Sequence, residues 1–270
     1  MEERVAISIA DGIADVRLVR ADKMNALDVA MFDALVAATD RLAKEKRVRA
    51  VILSGEGRAF CAGLDMGRFA AMKEKGGNGI AGGEKRDLTT RTHGLANYPQ
   101  QAVWGWRQLP VPVIAAIQGV AFGGGLQLAL GADMRFLTPD ARMSIMEIKW
   151  GLVPDMAGTP ILASLVRDDI LRELTYTGRI FSAQEAVSYG LATRICDDPR
   201  AAAFEVAREI AGKSPDAIRA AKRLLNGLSV DPGPALLAES AEQMKLMGGA
   251  NQLEAVRANI DKRLPRFLDV

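Results

Sequence analysis

The sequence predicts an α/β fold that is followed by a helical C-terminal region. Within residues 1–200, short apolar runs of β type alternate with segments whose apolar residues recur at helical spacing. From about residue 201 onward the pattern is helical only. The chain has 270 residues, of which 49% are hydrophobic and 25% charged, so it can bury a large core as one domain with an appendage. We therefore predict an α/β core over residues 1–200 and a helical region over residues 201–270.

The first predicted elements are a hairpin and a helix. Residues 5–9 and 13–19 are β-type runs separated by Asp11 and Gly12, a pair that favours a two-residue hairpin turn. Asp28 has the side chain of a helix N-cap. Apolar residues recur at helical spacing from there to about residue 46, which predicts one helix.

The middle of the chain alternates strands with helices. Residues 50–53 are continuously apolar and predict a short buried strand, and residues 111–122 predict another that is entered through Pro110 and Pro112. The remaining predicted elements are a helix at 125–131, strands at 134–137 and 143–145, and helices at 201–212, 215–225, 234–247 and 251–263. Such alternation implies right-handed crossovers between the strands.

Composition argues against several classes of partner. The net charge is only +2, with 35 basic residues scattered among 33 acidic ones, so the charge pattern does not indicate nucleic-acid binding. The apolar runs are shorter than the roughly 20 residues that cross a membrane, and the acidic segment MEERVAISIA lacks the apolar stretch of a signal peptide. Cys61 and Cys196 are the two cysteines, so a disulfide framework is not expected. We predict a cytoplasmic protein that binds neither nucleic acid nor membrane.

Two glycine-rich turns are the most informative feature of the chain. Gly123, Gly124 and Gly125 follow one predicted strand, and the segment AFCAGLDM at residues 59–66 follows another. Glycine lets the backbone turn sharply and bring its N–H groups close to a ligand. Two such turns can aim two amides at one carbonyl oxygen, which suits a developing oxyanion. Tight turns and close helix packing are the structural alternative.

Six segments carry a resemblance to known proteins. They are KMNALD at residues 23–28, AFCAGLDM at 59–66, GVAFGGGLQLALGADMR at 119–135, MSIMEIKWGLVPDMAGT at 143–159, TGRIFSAQEAVSYGLATRI at 177–195 and KSPDAIRAAKRLL at 213–225. Together, and in this order, they resemble the enoyl-CoA hydratase/isomerase (crotonase) family. The resemblance implies that residues 1–200 fold as a spiral of ββα units that binds and transforms acyl-CoA. It also implies a homotrimer or a dimer of trimers, in which the helical tail builds the contacts and covers a neighbouring subunit's site.

The resemblance implies an acyl-CoA thioester substrate, no metal, and no cofactor apart from the coenzyme A that the substrate carries. Moving the α-proton of a thioester builds negative charge on its carbonyl oxygen. The reaction therefore needs two preorganised N–H donors and a carboxylate for acid–base work. By position in the motifs, the donors are the backbone amides of Leu64 and Gly124, and the second would gain from the dipole of the helix that it begins.

The carboxylate positions of the family are only partly filled in this chain. Many hydratases of the family carry one glutamate three residues after the middle glycine of the triplet and another in the next motif. Here the first position is Gln127, which can orient water but cannot take a proton. The second is Glu147, whose apolar neighbours should raise its pKa. Asp155 resembles an acid of the dienoyl-CoA isomerase branch, although Pro154 and Asp155 also form a common turn pair.

Three reactions and one non-catalytic role are open at this point. Hydration of a 2-enoyl-CoA would use Glu147 for proton transfer and Gln127 to hold the attacking water, and we rank it first. An isomerisation of 3-enoyl-CoA to 2-enoyl-CoA needs only Glu147, and a dienoyl shift would use Glu147 together with Asp155. A CoA-thioester-binding protein without activity is a further alternative, because Gln127 leaves one expected acid missing.

The resemblance also indicates where coenzyme A binds. The residues expected against its adenosine and pantetheine parts, largely through backbone groups, are Lys23, Ala26, Ala62, Asp65 and Met66. Near the end of the chain, Lys262, Arg263 and Phe267 are expected to reach the CoA of a neighbouring subunit. An exposed helix end is the alternative for these three residues.

Three further features have both a structural and a functional interpretation. The glycine-rich residues 73–84 are either a surface loop or a lid near the acyl pocket. His93 is the single histidine and would be the partner of Cys61 in a Cys–His enzyme, but we expect Cys61 to be a small packing residue. Trp104 and Trp106 are expected in the core, and one of them is a candidate for the lining of the acyl pocket.

Overall fold

The computed structural model describes residues 3–67, 87–213, 215–227 and 233–263. The nine strands in these residues are β1 (Val5–Ala10), β2 (Ile13–Leu18), β3 (Ala50–Gly55), β4 (Val113–Ile117), β5 (Val120–Phe122), β6 (Met134–Leu137), β7 (Arg142–Ser144), β8 (Phe181–Ser182) and β9 (Arg194–Ile195). The ten α-helices in the same residues are α1 (Val29–Lys44), α2 (Tyr98–Gln108), α3 (Gly124–Leu130), α4 (Gly158–Ala163), α5 (Asp168–Thr177), α6 (Ala183–Ser188), α7 (Pro199–Ala211), α8 (Pro215–Gly227), α9 (Gly233–Leu246) and α10 (Ala250–Ile260). Two short 3₁₀ helices lie at Ala21–Lys23 and Glu147–Trp150. None of these helices has the length and apolar character needed to cross a bilayer.

The N-terminal elements form as the sequence predicts. β1 and β2 pair antiparallel. Asp11 and Gly12 between them have φ angles of 51° and 78°, and positive φ at both positions is what a type I′ hairpin turn requires. The carboxylate of Asp28 accepts a hydrogen bond of 2.8 Å from the Met31 amide, so Asp28 caps α1.

The core is built on a six-stranded sheet in the order β1-β2-β3-β4-β6-β9. All neighbouring strands from β2 onward are parallel. Side chains alternate between the two faces of the sheet. Val51 and Leu53 of β3 join the main core with α1, α2 and α3, whereas Ala50 and Ile52 pack against Ala203 of α7. Helices therefore cover both faces, as is usual for a parallel sheet.

One predicted strand is two strands in the structure. The prediction of a single strand over residues 111–122 is wrong, because the chain turns at Gly119, whose φ is 64°. β4 ends at Ile117 in the large sheet, and β5 belongs to a second sheet in the order β5-β7-β8. A Cβ atom on Gly119 would lie 2.0 Å from the Arg58 carbonyl oxygen, so no other residue fits there. The sequence hides the turn because Gln118 and Gly119 interrupt the apolar residues 113–117 and 120–122 by only two positions.

The two sheets create a repeating unit of two strands and a helix. β4 of the large sheet, β5 of the small sheet and α3 form one unit. β6, β7 and α4 form the next unit, with the second 3₁₀ helix inserted before α4. β3 begins a similar unit, in which Cys61 forms an isolated bridge to Ala121 of β5. The structure thus confirms the spiral of ββα units.

A cluster of polar side chains, three of them buried, fixes α9 to the core. Its members, which we call the tail cluster, are Arg91, Asn97, Gln100 and Ser240. Ser240 Oγ accepts hydrogen bonds from Asn97 Nδ2 at 2.7 Å and from Arg91 Nη2 at 2.9 Å. Gln100 Nε2 donates to the Leu236 carbonyl oxygen at 2.6 Å. The cluster joins α9 to α2 and to the segment before it, and α10 packs against the second 3₁₀ helix.

Both tryptophans of α2 lie in the main core. The stretch before Pro110 is a regular helix, which begins at the cap residue Asn97. Trp106 is fully buried and Trp104 nearly so. Neither of them lines the large cavity described below, so the packing interpretation is the one that the structure supports.

Candidate active site

The two glycine-rich turns lie side by side. The carbonyl oxygen of Cys61 accepts a hydrogen bond of 3.1 Å from the Phe122 amide. Gly63 has a φ of 87°, and a Cβ atom there would lie 2.5 Å from the Phe122 carbonyl oxygen and 3.7 Å from the Gly124 nitrogen. A Cβ atom on Gly125 would lie 2.2 Å from the Cys61 carbonyl oxygen. Glycine at these positions therefore allows the two backbones to touch.

Both of the predicted oxyanion amides have no acceptor in the described part of the chain. Neither the Leu64 amide nor the Gly124 amide donates a hydrogen bond there. The backbone of Leu27 pairs with the residues before and after Leu64. The Leu27 amide donates to the Gly63 carbonyl oxygen at 2.8 Å, and the Leu27 carbonyl oxygen accepts from the Asp65 amide at 3.1 Å. Gly124 is the first residue of α3, so its amide has no intrahelical acceptor. Such a pair suits a carbonyl oxygen that gains charge, and its assignment as an oxyanion hole stays a prediction.

A cavity of about 780 Å³ opens beside the two turns. The predicted site residues that line it are Lys23, Ala26, Ala62, Leu64, Asp65, Met66, Gly124, Gln127, Glu147 and Asp155. The structure therefore brings together every site residue that the sequence placed in residues 1–200. The segments that carry them are far apart in the chain and follow β2, β3, β5 and β7.

The side chain of Asp65 is used within the protein. Its Oδ2 accepts from Arg20 Nη1 at 2.5 Å, and its Oδ1 accepts from the Gly67 amide at 2.7 Å. Arg20 Nη1 also donates to the Ala26 carbonyl oxygen at 2.9 Å. The carboxylate of Asp65 thus shapes the turn, which is compatible with the expectation that this turn contacts coenzyme A largely through its backbone.

Glu147 begins the second 3₁₀ helix and packs against the glycine triplet. Its Oε1 accepts a hydrogen bond of 2.6 Å from Gln127 Nε2. Its Oε2 is buried and accepts none from the described residues. Burial raises the pKa of Glu147 to about 7, against smaller opposing effects of nearby backbone amides and of Gln127. A carboxyl group with this pKa can both take and return a proton near neutral pH.

Gln127 is 2% exposed, and its side chain bridges three segments. While its Nε2 donates to Glu147, its Oε1 accepts from the amides of Met156 at 2.9 Å and Gly158 at 3.0 Å. We call Gln127, Glu147 and these two amides the site cluster. The sequence shows that an amide replaces a carboxylate at residue 127, but it does not show these partners, which lie 29 and 31 residues away along the chain.

Asp155 lies in the same cavity rather than in an exposed turn. It is 5% exposed, and its Oδ2 accepts a hydrogen bond of 3.1 Å from Gln243 Nε2 of α9. Its participation in proton transfer stays a prediction. Sequence reasoning missed Gln243, because no motif or spacing relates two residues that are 88 positions apart.

The helices α9 and α10 close the cavity of their own chain. Gln243 of α9 and Asn259 of α10 line it, and Asn259 Nδ2 donates to the Lys149 carbonyl oxygen at 2.6 Å. A Cβ atom on Gly151 would lie 2.9 Å from Gln252 Cα of α10. In the single chain these helices thus line the cavity of the chain that carries them, and the expectation that the tail covers a neighbouring subunit's site stays a prediction.

The predicted CoA contacts at the end of the chain are only partly described. Lys262 and Arg263 follow α10, and neither lines the cavity. Arg263 forms an ion pair with Glu254 at 2.6 Å. Phe267 and residues 73–84 lie outside the described residues. The roles expected for these residues stay predictions.

Cys61 and His93 do not form a catalytic pair. Cys61 is fully buried, its Sγ donates to the Asn25 carbonyl oxygen at 3.1 Å, and burial raises the pKa of its thiol to about 12. His93 Nδ1 lies 2.8 Å from Thr92 Oγ1, and His93 does not line the cavity. Cys61 is therefore a packing residue, since its thiol stays protonated at neutral pH.

Comparisons with known proteins all indicate the same family. A family model described as enoyl-CoA hydratase/isomerase matches residues 8–269. The mitochondrial methylglutaconyl-CoA hydratase of Mus musculus is 32% identical over 264 residues, which cover 95% of this chain and 79% of that protein. A peroxisomal Delta(3,5)-Delta(2,4)-dienoyl-CoA isomerase of Arabidopsis thaliana is 32% identical over 254 residues, 92% of this chain and 90% of that protein. Among solved structures, an enoyl-CoA hydratase from Bacillus anthracis matches with a TM-score of 0.74 and 31% identity, covering 98% of this chain and 99% of that one.

Proposed function

The chain belongs to the enoyl-CoA hydratase/isomerase family, and we propose that it adds water to a 2-enoyl-CoA thioester with Glu147 as its acid–base group. The observation that carries the proposal is the carboxyl group of Glu147, with a pKa raised to about 7, in one cavity with the amides of Leu64 and Gly124. A methylglutaconyl-CoA hydratase among the relatives supports hydration as the first choice.

The proposed reaction uses one carboxylate for both proton transfers. Glu147 takes a proton from water, and the resulting hydroxide forms a bond to the β-carbon of the enoyl group. The electron pair of the double bond moves to the thioester, whose oxygen accepts hydrogen bonds from Leu64 and Gly124. Protonated Glu147 then gives the proton to the α-carbon and is an ionised carboxylate again. Each oxyanion donor of this kind contributes roughly 3–4 kcal/mol to the barrier reduction.

Isomerisation is the second candidate. It is favoured by the lack of an acid at residue 127 and by the position of Asp155 in the cavity. A shift of the double bond from 3-enoyl to 2-enoyl needs only a carboxylate that moves a proton between carbons, and Gln127 brings no second acid to the cavity. A dienoyl shift would add Asp155, which lines the same cavity. A dienoyl-CoA isomerase among the relatives also supports this reaction as the second candidate.

The test is to incubate the protein with 2-enoyl-CoA, 3-enoyl-CoA and 3,5-dienoyl-CoA in isotopically labelled water and to identify the products by mass. Hydration predicts a 3-hydroxyacyl-CoA that carries solvent oxygen. Isomerisation of the second or third substrate without hydration of the first would replace the first choice by the second. Binding of all three without turnover, in the wild type as in Glu147→Gln, would indicate a binding protein without activity.

We also propose that the protein assembles as a homotrimer or as a dimer of trimers. The family resemblance suggests it, and α8 supports it, because its Leu224 and Leu225 are 73% and 66% exposed in the single chain. Large apolar side chains exposed together often mark a protein–protein interface. Light scattering at micromolar concentration should give three or six times the mass of one chain, and a stable monomer would contradict the proposal.

Coenzyme A is proposed to bind along the turn of Ala62, Asp65 and Met66, beside Lys23 and Ala26. Lys23 is exposed at the cavity, where its charge can attract a phosphate. Replacing Lys23 by Met should raise KM and leave kcat nearly unchanged, because only binding is affected. The double replacement of Lys262 and Arg263 by Ala tests the same idea for the end of the chain. An unchanged KM in both variants would contradict these assignments.

A further inference from the structure

We propose that Gln127 is a positioning residue that acts through Glu147, by fixing one oxygen of the carboxylate so that the other faces the reacting atoms. This proposal deepens the proposed function and rests on it for the identity of the reaction. It changes the role that the sequence suggests for Gln127, which was to hold the attacking water.

The contacts of Gln127 determine which way its amide points. Its oxygen accepts two backbone N–H groups, from Met156 and Gly158, and its nitrogen donates to Glu147 at 2.6 Å. A flipped amide would place an N–H group against two N–H donors and an oxygen against a carboxylate, so only one orientation satisfies all three contacts. Both acceptor positions of the oxygen are occupied. Gln127 therefore cannot accept a hydrogen bond from a water molecule that is to be activated.

The same contacts select the reactive oxygen of Glu147. Its Oε1 is held by Gln127, whereas its Oε2 is buried and accepts no hydrogen bond from the described residues. A buried acceptor without a donor is unfavourable unless a ligand supplies one. Glu147 lines the cavity, so once a substrate enters it, Oε2 is the oxygen left to exchange a proton.

The backbone conformation at Ala157 and Gly158 allows the Gln127 amide to make these contacts. A Cβ atom on Gly158 would lie 2.6 Å from Gln127 Oε1, so residue 158 must be glycine for the amide to approach. Ala157, just before it, has a φ of 66°, which turns the backbone so that the N–H groups on both sides of Ala157 reach the same oxygen. Gln127 itself lies on α3, the helix that begins with Gly124. The glutamine thus couples the proposed base to the helix that carries one proposed oxyanion donor.

The acid–base state of Glu147 should respond to this contact. A donor beside a carboxylate favours its ionised form, and Gln127 lowers the pKa of Glu147 against the larger effect of burial. The charged residues that line the same cavity are Asp22, Lys23, Asp65, Lys149 and Asp155, and all of them are kept in the experiment. Replacing Gln127 by an uncharged side chain therefore leaves these charges unchanged, so a shifted titration of Glu147 reports the lost contacts of Gln127.

The experiment compares three variants, and its first readout needs no substrate. Gln127→Met keeps the size of the side chain and removes all three contacts. Gln127→Glu keeps an acceptor for the two amides and replaces the donor to Glu147 by a second carboxylate. Gln100→Met is the matched control, because Gln100 is a fully buried glutamine whose Oε1 accepts from the Asn97 amide at 3.0 Å and whose Nε2 donates to Leu236 at 2.6 Å, away from Glu147. The Glu147 carboxyl carbon is titrated by NMR and assigned by its absence in Glu147→Gln.

We expect Gln127→Met to raise the pKa of Glu147 by about 1–2 pH units, the size of one lost hydrogen bond to a charged group. Gln127→Glu should raise it further, because two carboxyl groups then share a proton. With the substrate that the wild type turns over, both variants should lower kcat by about 10-fold or more and change KM less than threefold. Gln100→Met should lower stability and leave the titration of Glu147 unchanged.

Two results would overturn the proposal. One is an unshifted Glu147 titration in both Gln127 variants, or an equal shift in Gln100→Met, which would show general loosening instead of a specific contact. The other is faster hydration by Gln127→Glu than by the wild type, which would show that residue 127 is an acid–base position. If the wild type turns over none of the three thioesters, the proposed function fails, while the titration still decides the role of Gln127. If Gln127→Met does not fold, the Glu147 titration and the kinetics of Gln127→Glu alone test the proposal.

Discussion

Gln127 and Gln100 are both fully buried glutamines that bridge distant segments, yet the clusters around them differ in one respect. In the tail cluster, Ser240 Oγ accepts two hydrogen bonds and donates a third to the Leu236 carbonyl oxygen at 3.1 Å. In the site cluster, Glu147 Oε2 accepts none from the described residues. In the tail cluster the shared oxygen has all of its hydrogen bonds, whereas in the site cluster one carboxylate oxygen of a cavity-lining residue has no donor among the described residues.

This difference separates a structural role from a chemical one. A buried polar group that lacks a partner lowers stability, so folding alone does not explain why Glu147 is kept in such a place. The raised pKa of Glu147 is the measurable sign of that unfavourable position, and it is also what makes the group useful for proton transfer. Substitutions in the site cluster should therefore lower turnover, whereas substitutions in the tail cluster should lower the free energy of unfolding.

The largest expected effect is the loss of turnover in Glu147→Gln. The variant keeps the shape of the side chain and removes its ability to carry a proton, so turnover should fall by about 10²–10⁴-fold, the usual scale of general acid–base catalysis. The affinity for CoA thioesters should change little, because the residues proposed to bind coenzyme A do not include Glu147. Steady-state kinetics and calorimetric binding measure the two quantities. Activity within threefold of the wild type would remove Glu147 from the mechanism.

The same variant should be more stable than the wild type at alkaline pH. Folding raises the pKa of Glu147 from its ordinary value of 4.5 to about 7, so the folded protein holds this proton more tightly than the unfolded chain does. The resulting stabilisation is complete below pH 4.5 and is lost as the pH rises through 7. Relative to Glu147→Gln, the wild type should lose up to about 3 kcal/mol between pH 4 and pH 8. Urea unfolding at several pH values tests this, and parallel curves for the two proteins would contradict it.

A third effect comes from the space beside Gln127. In Gly158→Ala the new Cβ atom would lie 2.6 Å from Gln127 Oε1, so Gln127 must move and its hold on Glu147 must weaken. We expect kcat to fall by about 10-fold, since small misplacements of catalytic groups have effects of this order or larger. Gly227→Ala is the matched control, because its Cβ atom would meet nothing within 4 Å. Equal kcat values for the two variants would show that the site cluster tolerates the displacement.

The smallest effect on turnover is expected in the tail cluster. Ser240→Ala removes the shared acceptor of Arg91 and Asn97, and the loss should lower the free energy of unfolding by about 1–3 kcal/mol. The titration of Glu147 should not change, because its hydrogen bond is made elsewhere. Chemical denaturation and the NMR titration measure the two effects. A shifted Glu147 titration in this variant would show that the two clusters are coupled, and the comparison between them would then fail.

Much of the fold and part of the site could be predicted from the sequence. Local signals located the hairpin turn at Asp11 and Gly12 and the cap at Asp28, because each depends on a side chain and its near neighbours. The motif positions of Leu64, Gly124 and Glu147 also led to one cavity. The turn at Gly119 was missed, since only Gln118 and Gly119 separate two apolar runs, and the contact with the Arg58 carbonyl oxygen that makes glycine necessary is not local.

The contacts that no local pattern encodes are those between distant segments. The two amides that hold Gln127 and the Gln243 side chain that meets Asp155 come from residues 29 to 88 positions away. A single sequence records that glutamine stands at residue 127, but its orientation follows from the packing of a helix, a 3₁₀ helix and a loop around it. For the same reason the sequence could not show that α9 and α10 close the cavity of their own chain.

That closure has a consequence for any assembly of this protein. Gln243 and Asn259 line the same cavity as Glu147 of their own chain, so one polypeptide can supply both the base and these two wall residues. Glu147→Gln subunits mixed with subunits that carry Gln243→Ala and Asn259→Ala should then regain no activity, because each variant chain lacks part of its own site. Recovered activity in the mixed oligomer would mean that the helices of a neighbour complete the site. The proton transfer at each Glu147 is thus expected to be independent of the other subunits, however many of them assemble.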